Sequence, residues 1–305
     1  MSESNRVTLK YVPEVTYGTT PVNSVNWKYL RFTSEALGGD IKTVESAELR
    51  ADRMISDNPK TGTDVKGTIS GEFSSGSYDD FIEAVLGGTW TANVLKVGVV
   101  ERSYTLEKNF ADIAKLMAFK GMRVGQMDIK LEFGALATVE FGFAGNNYSL
   151  PVASLVGSGS VADLGTTAVF NGSANISGIK IDGVASTDCF KSLNISINNN
   201  LRPQEGLGSD FPSDQNYGAC AITGDFSVYL ADLVLEQKKI DNTAFSLEFT
   251  VSIAGVGYVF FFPKLKFGGS SPASGGKDQD VFLEGKFSAL YNATEASSIV
   301  ITRLP

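Results

Sequence analysis

Few side chains in this sequence are equipped for chemistry. The 305 residues include no histidine, so the group that most often moves a proton near neutral pH is missing. Carboxylates are what remain. Asp79 and Asp80 adjoin, but they fall where a helix should begin, and acidic residues there answer the helix dipole. Asp278 and Asp280 follow a Gly/Ser stretch and could approach a cation, yet the other oxygen ligands of a calcium loop are absent. Cys189 and Cys220 form no Cys-x-x-Cys pair and have no zinc-ligand companions, so two buried free thiols are expected. Gly157-Ser-Gly-Ser160 lacks the Gly-Lys-Ser/Thr that completes a phosphate loop. Lys and Arg are scattered, and the net charge is −8, the wrong sign for a sequence-independent nucleic-acid binder. No catalytic residue, no metal site and no cofactor is expected, which argues against an enzyme.

The elements that hold these residues are more informative than the residues themselves. Val65, Ile69 and Phe73 alternate with Lys66, Thr68, Ser70 and Glu72, which predicts a strand with one apolar and one polar face. After a turn at Ser75-Gly76-Ser77, Ser77 is placed to cap a helix. Tyr78, Phe81, Ile82, Val85 and Leu86 then form a single apolar stripe at helical spacing, and Gly87-Gly88 ends it. Further strands are predicted over 41–49 and 104–110. An apolar segment, 114–124, is broken by Gly121. Two alternating runs then follow, Met127 to Phe133 and Ala137 to Phe143, joined by a tight hairpin at Gly134-Ala135. The polar segment Leu49–Thr63 is long for a connection between strands unless it binds something.

A second copy of this pattern follows in the same order. Gly71-Glu72-Phe73 reappears as Gly224-Asp225-Phe226, and Leu49-Arg50 as Leu201-Arg202. Tyr104–Glu107 is echoed by Phe245–Glu248, Phe119–Val124 by Phe262–Phe267, and Val139–Phe143 by Phe282–Phe287. Five matches in one order predict a tandem duplication: an N-terminal arm (1–30), a first domain (31–145), a Ser/Gly-rich linker (146–175) and a second domain (176–305). The arm must find its partner in the body of the chain or in a neighbouring subunit. Hydrophobic residues make up 43%, enough for a real core. No apolar run reaches the roughly 20 residues of a membrane span, and the first residues lack the apolar centre of a signal peptide, so synthesis in a cytoplasm with no membrane partner is expected.

Half-polar sheets turn one face to water. Copies set around a ring could close such sheets into a barrel with a water-filled bore, which also removes edge strands. At this point the sequence resembles a known family. Gly18-Thr-Thr-Pro21, Tyr29-Leu-Arg-Phe-Thr33, Glu45-Ser-x-Glu-Leu-Arg50, Asp52-Arg53 and the run from Phe73 to Leu86-Gly-Gly-Thr-Trp90 are similar to the tail tube (major tail) protein of long-tailed bacteriophages, densely over residues 8–145 and thinly beyond. The resemblance implies a mainly β fold with two tandem tail-tube-type β-sandwich domains, each flanked by a short α-helix. It also implies stacked rings, here homotrimers with pseudo-sixfold symmetry, that form the tube through which DNA reaches the host. The implied partners are further copies of the chain, a tape-measure protein and the tail terminator and tip proteins, with DNA passing the lumen unbound. The implied location is the virion. A tail-tip or baseplate ring protein and a β-sandwich adhesin or carbohydrate-binding module are the alternatives.

Two groups of residues follow as expectations. Thr68, Ser70, Glu72, Thr138 and Glu140 in the first half, with Thr223, Asp225, Glu284 and Lys286 in the second, should line the lumen. Arg50, Asp52, Arg53 and Asp57 in one long loop, with Arg202, Glu205, Asp210 and Asp214 in the other, should make contacts between rings or subunits, together with the arm.

Overall fold

A computed structural model describes residues 3–269, 271–272 and 276–305. The chain is mainly β, as its alternation predicts, and among the described residues the only helices are Asp79–Leu86 (α1) and Val234–Ile240 (α2), besides one 3-10 turn. The strands form two layers. One layer is a single run of antiparallel strands that crosses the whole chain. Its order is Ser34–Glu35 with Gly38–Thr43, then Lys60–Glu72, Thr138–Gly145, Lys115–Glu132, Phe190–Asn198, Ala221–Tyr229, Phe282–Ala289 and the end of Val256–Gly268. The middle join, Gln126–Glu132 against Ser192–Asn198, pairs seven residues of the first half with seven of the second.

The other layer is built twice with the same order. In the first half Asn147–Ser149, Lys115–Glu132, Tyr104–Phe110, Val7–Pro13 and Trp27–Leu30 lie side by side. In the second, Val300–Leu304, Val256–Gly268, Phe245–Ile253 and Ile176–Ile181 do so. In each half one long strand serves both layers. Lys115–Glu132 does this by bending: Gly121 adopts φ 64° and the pairing register shifts between Val124 and Gln126. The break expected at Gly121 is therefore a bend within one 18-residue strand, not the end of an element. A positive φ suits glycine because it has no Cβ to clash.

The N-terminal residues find their partner inside the chain. Val7–Pro13 pairs along its whole length with Tyr104–Phe110. Past Pro13, the Glu14 carboxylate accepts hydrogen bonds from the Gly18 and Gly121 amides and from the Ser103 and Thr105 hydroxyls. The Ser/Gly-rich stretch is pinned as well. Val156 packs with Val12 and the buried Trp27, and the fully buried Glu107 takes hydrogen bonds from Ser154 and the Leu155 amide while pairing with Lys10.

Between the layers lies one aromatic-rich core spanning both halves. The α1 stripe read from the sequence is all buried. Phe81 shows why: its ring meets Tyr11 and Tyr104 of one layer and Phe141 and Phe143 of the other, with centroids 4.7 to 5.4 Å apart. Phe73 in turn stacks on Tyr258 of the second half at 5.4 Å. Gly87 caps α1 in the left-handed conformation. The N-cap differs from the expectation. Tyr78 holds that position with no side-chain cap, and the Ser77 hydroxyl bonds to Ser74 instead. The cysteines differ too: Cys220 is half-buried, where burial pushes its thiol up to about 11, while Cys189 is exposed.

Two outcomes follow from this core. Phe81→Ala removes the ring that joins the layers and should lower unfolding free energy by about 3–5 kcal/mol, read by urea denaturation. Burial raises the phenols of Tyr78 and Tyr217 to about 12, and those of Tyr11, Tyr17, Tyr104 and Tyr258 higher still. Unfolded tyrosine titrates near 10. Above that pH the folded chain holds more protons, so stability should be intact below pH ~10 and fall as pH rises through 12. Tyrosinate absorbance and circular dichroism should therefore change together.

Candidate functional site

Period-two alternation puts every second residue of the chain-long sheet on the side away from the core. Cross-strand pairing then sets these residues in rows. One row runs Ser70, Glu140, Asp128, Ser196, Thr223, Ser288, Lys266. The next runs Glu72, Thr138, Lys130, Asn194, Asp225, Lys286. Thr68, opposite Gly142, and Glu284, opposite Ser227, flank them. All nine residues expected on a lumen surface thus share one face of one sheet, although they come from both halves of the sequence.

That face is concave. A groove of about 490 Å³ runs across its centre, lined by Asp128, Lys130, Asn194, Ser196, Thr223, Asp225 and Lys286 among others, and a second of about 520 Å³ lies toward Gly38, Lys66 and Gln126. Short polar side chains are tied together across strands, Ser70 to Glu140 and Asn194 to Asp225, each at 2.8 Å. Glu72, Asp128, Glu132, Glu140, Asp225 and Glu284 outnumber Lys66, Lys130, Lys266 and Lys286, so the surface is hydroxyl-rich and mildly acidic. Sequence reasoning missed Asp128, Lys130, Asn194, Ser196, Ser227 and Ser288. Alternation around Ile129 and Ile195 carried the signal for four of them, but which strands adjoin is not a local property.

Both ends of this sheet are open. Among the described residues, Gly38–Thr43 pairs only with Lys60–Glu72, and Lys266–Gly268 pairs only with Phe282–Ala289. Gly67 sets the fit at the first edge: a Cβ there would stand 2.2 Å from the Ala36 carbonyl oxygen and 2.6 Å from the Leu37 Cα.

The two long polar loops lie at one end of the molecule. Strand pairing begins at Gly38, earlier than expected, and the hairpin tip spans 44–59. Arg50, Asp52, Arg53 and Asp57 are exposed there, with Arg50 and Asp52 paired at 2.7 Å. Leu49, Met54 and Ile55 are exposed on the same tip. The second loop forms a short hairpin, Arg202–Gln204 with Asp214–Asn216. Arg202 is in a ladder whereas Arg50 is in a tip, so that one sequence match is not a match of position.

Several second-loop residues are engaged within the chain. Glu205 pairs with Lys42, and Asp210 with Lys60, both at 3.1 Å. Asp214 pairs with Arg123 at 2.9 Å. Arg123 is nearly buried between the rings of Tyr17 and Tyr217 and also pairs with Glu101. It ties the N-terminal segment, the bent strand and the second hairpin into one cluster, and its type and position gave no hint of this.

Of the carboxylates considered for chemistry, Asp79 and Asp80 have structural partners. Asp79 accepts from the Tyr258 hydroxyl and pairs with Arg303, while Asp80 pairs with Lys28 and accepts from Tyr11. Asp278 and Asp280 are exposed; part of the Gly/Ser stretch before them, Ser270 and residues 273–275, lies outside the described residues. Among the described residues no group of three or more His, Cys, Asp or Glu could hold a metal ion, and no helix is long and apolar enough to cross a membrane.

If the concave face serves a function rather than the fold, its side chains should be dispensable for stability. Glu284→Gln should change unfolding free energy by less than about 0.5 kcal/mol. Arg123→Met, which strands the Gln215 carbonyl and two carboxylates, should lower it by about 1–3 kcal/mol. Thermal or urea denaturation of the two variants checks the contrast.

Comparison with known proteins places this architecture. No match emerges among curated proteins. The family model for phage tail tube protein matches residues 4–289, nearly the whole chain, including both halves of the sheet and both hairpins. On that match the chain belongs to the phage tail tube protein family.

Proposed function

We propose that the chain is a structural virion protein that closes into rings by joining the two open edges of its long sheet, and that stacked rings form the tail tube. One observation carries this reading. The chain already contains the required joint: the last strand of the first half, Gln126–Glu132, pairs with the first strand of the second, Ser192–Asn198. The same strand order then ends in an open edge at Lys266–Gly268 and begins with one at Gly38–Thr43. Head-to-tail repetition of that joint places Lys266–Gly268 of one copy against the Gly38–Thr43 region of the next. A heterologous contact of this kind closes into a ring when the rotation allows it, and closure leaves no edge exposed.

On this reading the two halves are sister domains, three chains make a pseudo-sixfold ring, and the concave polar face becomes the bore. A ring of three chains carries three times −8, or −24. An acidic, hydroxyl-lined wall repels phosphate and gives DNA nothing to grip, so DNA slides through without specific binding. The exposed tip over 44–59 and the second hairpin lie at one end, suited to meeting the next ring along the axis. The remaining partners are a tape-measure protein inside the tube and terminator and tip proteins at its ends. Synthesis takes place in the host cytoplasm, and the protein performs no catalysis.

Edge substitution tests the joint. The Ala36 amide donates inward to Thr68, so ladder alternation turns the Ile41 amide outward. Ile41→Pro removes a donor only from the open edge, where proline is tolerated. The variant should remain a folded monomer by circular dichroism and sedimentation under conditions in which the parent forms hollow filaments in negative stain. Filaments of parental length from Ile41→Pro would refute the edge-to-edge joint.

A further inference from the structure

The internal joint has a second contact besides the ladder, and its counterpart at the end of the chain is uncovered. In the first half, α1 packs against the second half's Phe190–Asn198 strand and beneath Val94–Lys96. Val94–Lys96 in turn pairs with Val300–Leu304. Asp79 of α1 pairs with Arg303 of that C-terminal strand at 2.7 Å, and the buried Asn199 amide donates to the Val85 carbonyl at 2.8 Å. The stripe of α1 is buried as a result.

Among the described residues the second helix has no such cover; Ser271 donates a hydrogen bond to Glu236, and Lys239 donates one to Ser271. The helix packs on Val256–Gly268, and the segment after it, 241–244, leads at once into Phe245–Ile253. Nothing corresponds to the 87–103 segment that folds over α1. Leu235 is buried, but Leu233, Val234 and Ile240 are 58–68% exposed.

On the outer layer α1 meets Val94–Lys96 directly and, through the Asp79–Arg303 pair, the C-terminal strand beside the outer half of Val256–Gly268. In the first half that place, beside the outer part of Lys115–Glu132, belongs to Asn147–Ser149. The residues that continue it, Leu150 and Val152, are also exposed, at 69% and 105%. One copy thus ends with an uncovered apolar helix face, and the next begins with an uncovered apolar strand end at the equivalent position.

We infer that α2 of one copy docks on the Asn147–Val152 segment of the next, the intermolecular counterpart of the contact between α1 and Val300–Leu304. The inference rests on the ring reading above and adds a contact on the outer layer. Two joined layers resist hinge motion about the joint, which a single ladder does not.

Disulfide trapping tests it. In a Cys189→Ser, Cys220→Ser background, Val234→Cys and Val152→Cys are combined and the assembled protein is oxidised. A ladder of covalent multimers ending at the closed ring is expected on non-reducing gels, with neither single variant giving it. Hollow filaments without cross-links would overturn the α2 contact and leave the ring reading standing. Failure of the unsubstituted parent to assemble at all would overturn both. If only the cysteine variant fails to assemble, hydrogen exchange on the unsubstituted protein decides: amides of 234–240 and 147–152 should gain at least tenfold protection on assembly, and unchanged exchange there overturns the contact.

Discussion

The antiparallel ladder between Gln126–Glu132 and Ser192–Asn198 is the interaction on which the rest depends. Without it the chain would carry two short sheets, each with two open edges and a polar face too narrow to shape a surface. With it, the rows of hydroxyls and carboxylates run unbroken from Ser70 to Lys266. The ladder exists because Lys115–Glu132 is long enough to serve the outer layer at one end and the shared sheet at the other. Gly121 and the register shift beyond Val124 let it do so without breaking.

The core then fixes how the two halves sit. Phe73 reaches from the first half to Tyr258, and Asp79 reaches to Tyr258 and Arg303. These contacts lie on the apolar side of the shared sheet, away from the rows of hydroxyls and carboxylates. The aromatic packing that stabilises the fold thus lies on one side of the sheet and the polar rows on the other.

Much of this was legible in the sequence, for physical reasons. Alternation of Val65, Ile69 and Phe73 with Thr68, Ser70 and Glu72 is a direct image of a pleated strand with two environments, and the spacing from Tyr78 to Leu86 is a direct image of a helix with one buried stripe. What was hidden depends on contacts distant in sequence. The Ser74 and Thr167 hydroxyls draw Ser77 away from capping. The ion pairs of Glu205 and Asp210 tie down a loop that looked free. The cluster around Arg123 gathers residues from four separate segments. No local pattern announces that Ile129 and Ile195 lie opposite each other, and that pairing decides the architecture.

The central claim is that this one sheet, repeated edge to edge, is the wall of a bore with its hydroxyl-rich side inward. A reconstruction of the assembled particle viewed down its axis measures it directly. The account predicts a continuous β wall of six similar units built from three chains, with Thr68, Glu140, Thr223 and Glu284 facing the axis. A wall interrupted between chains, or one with those residues on the outer surface, would contradict it.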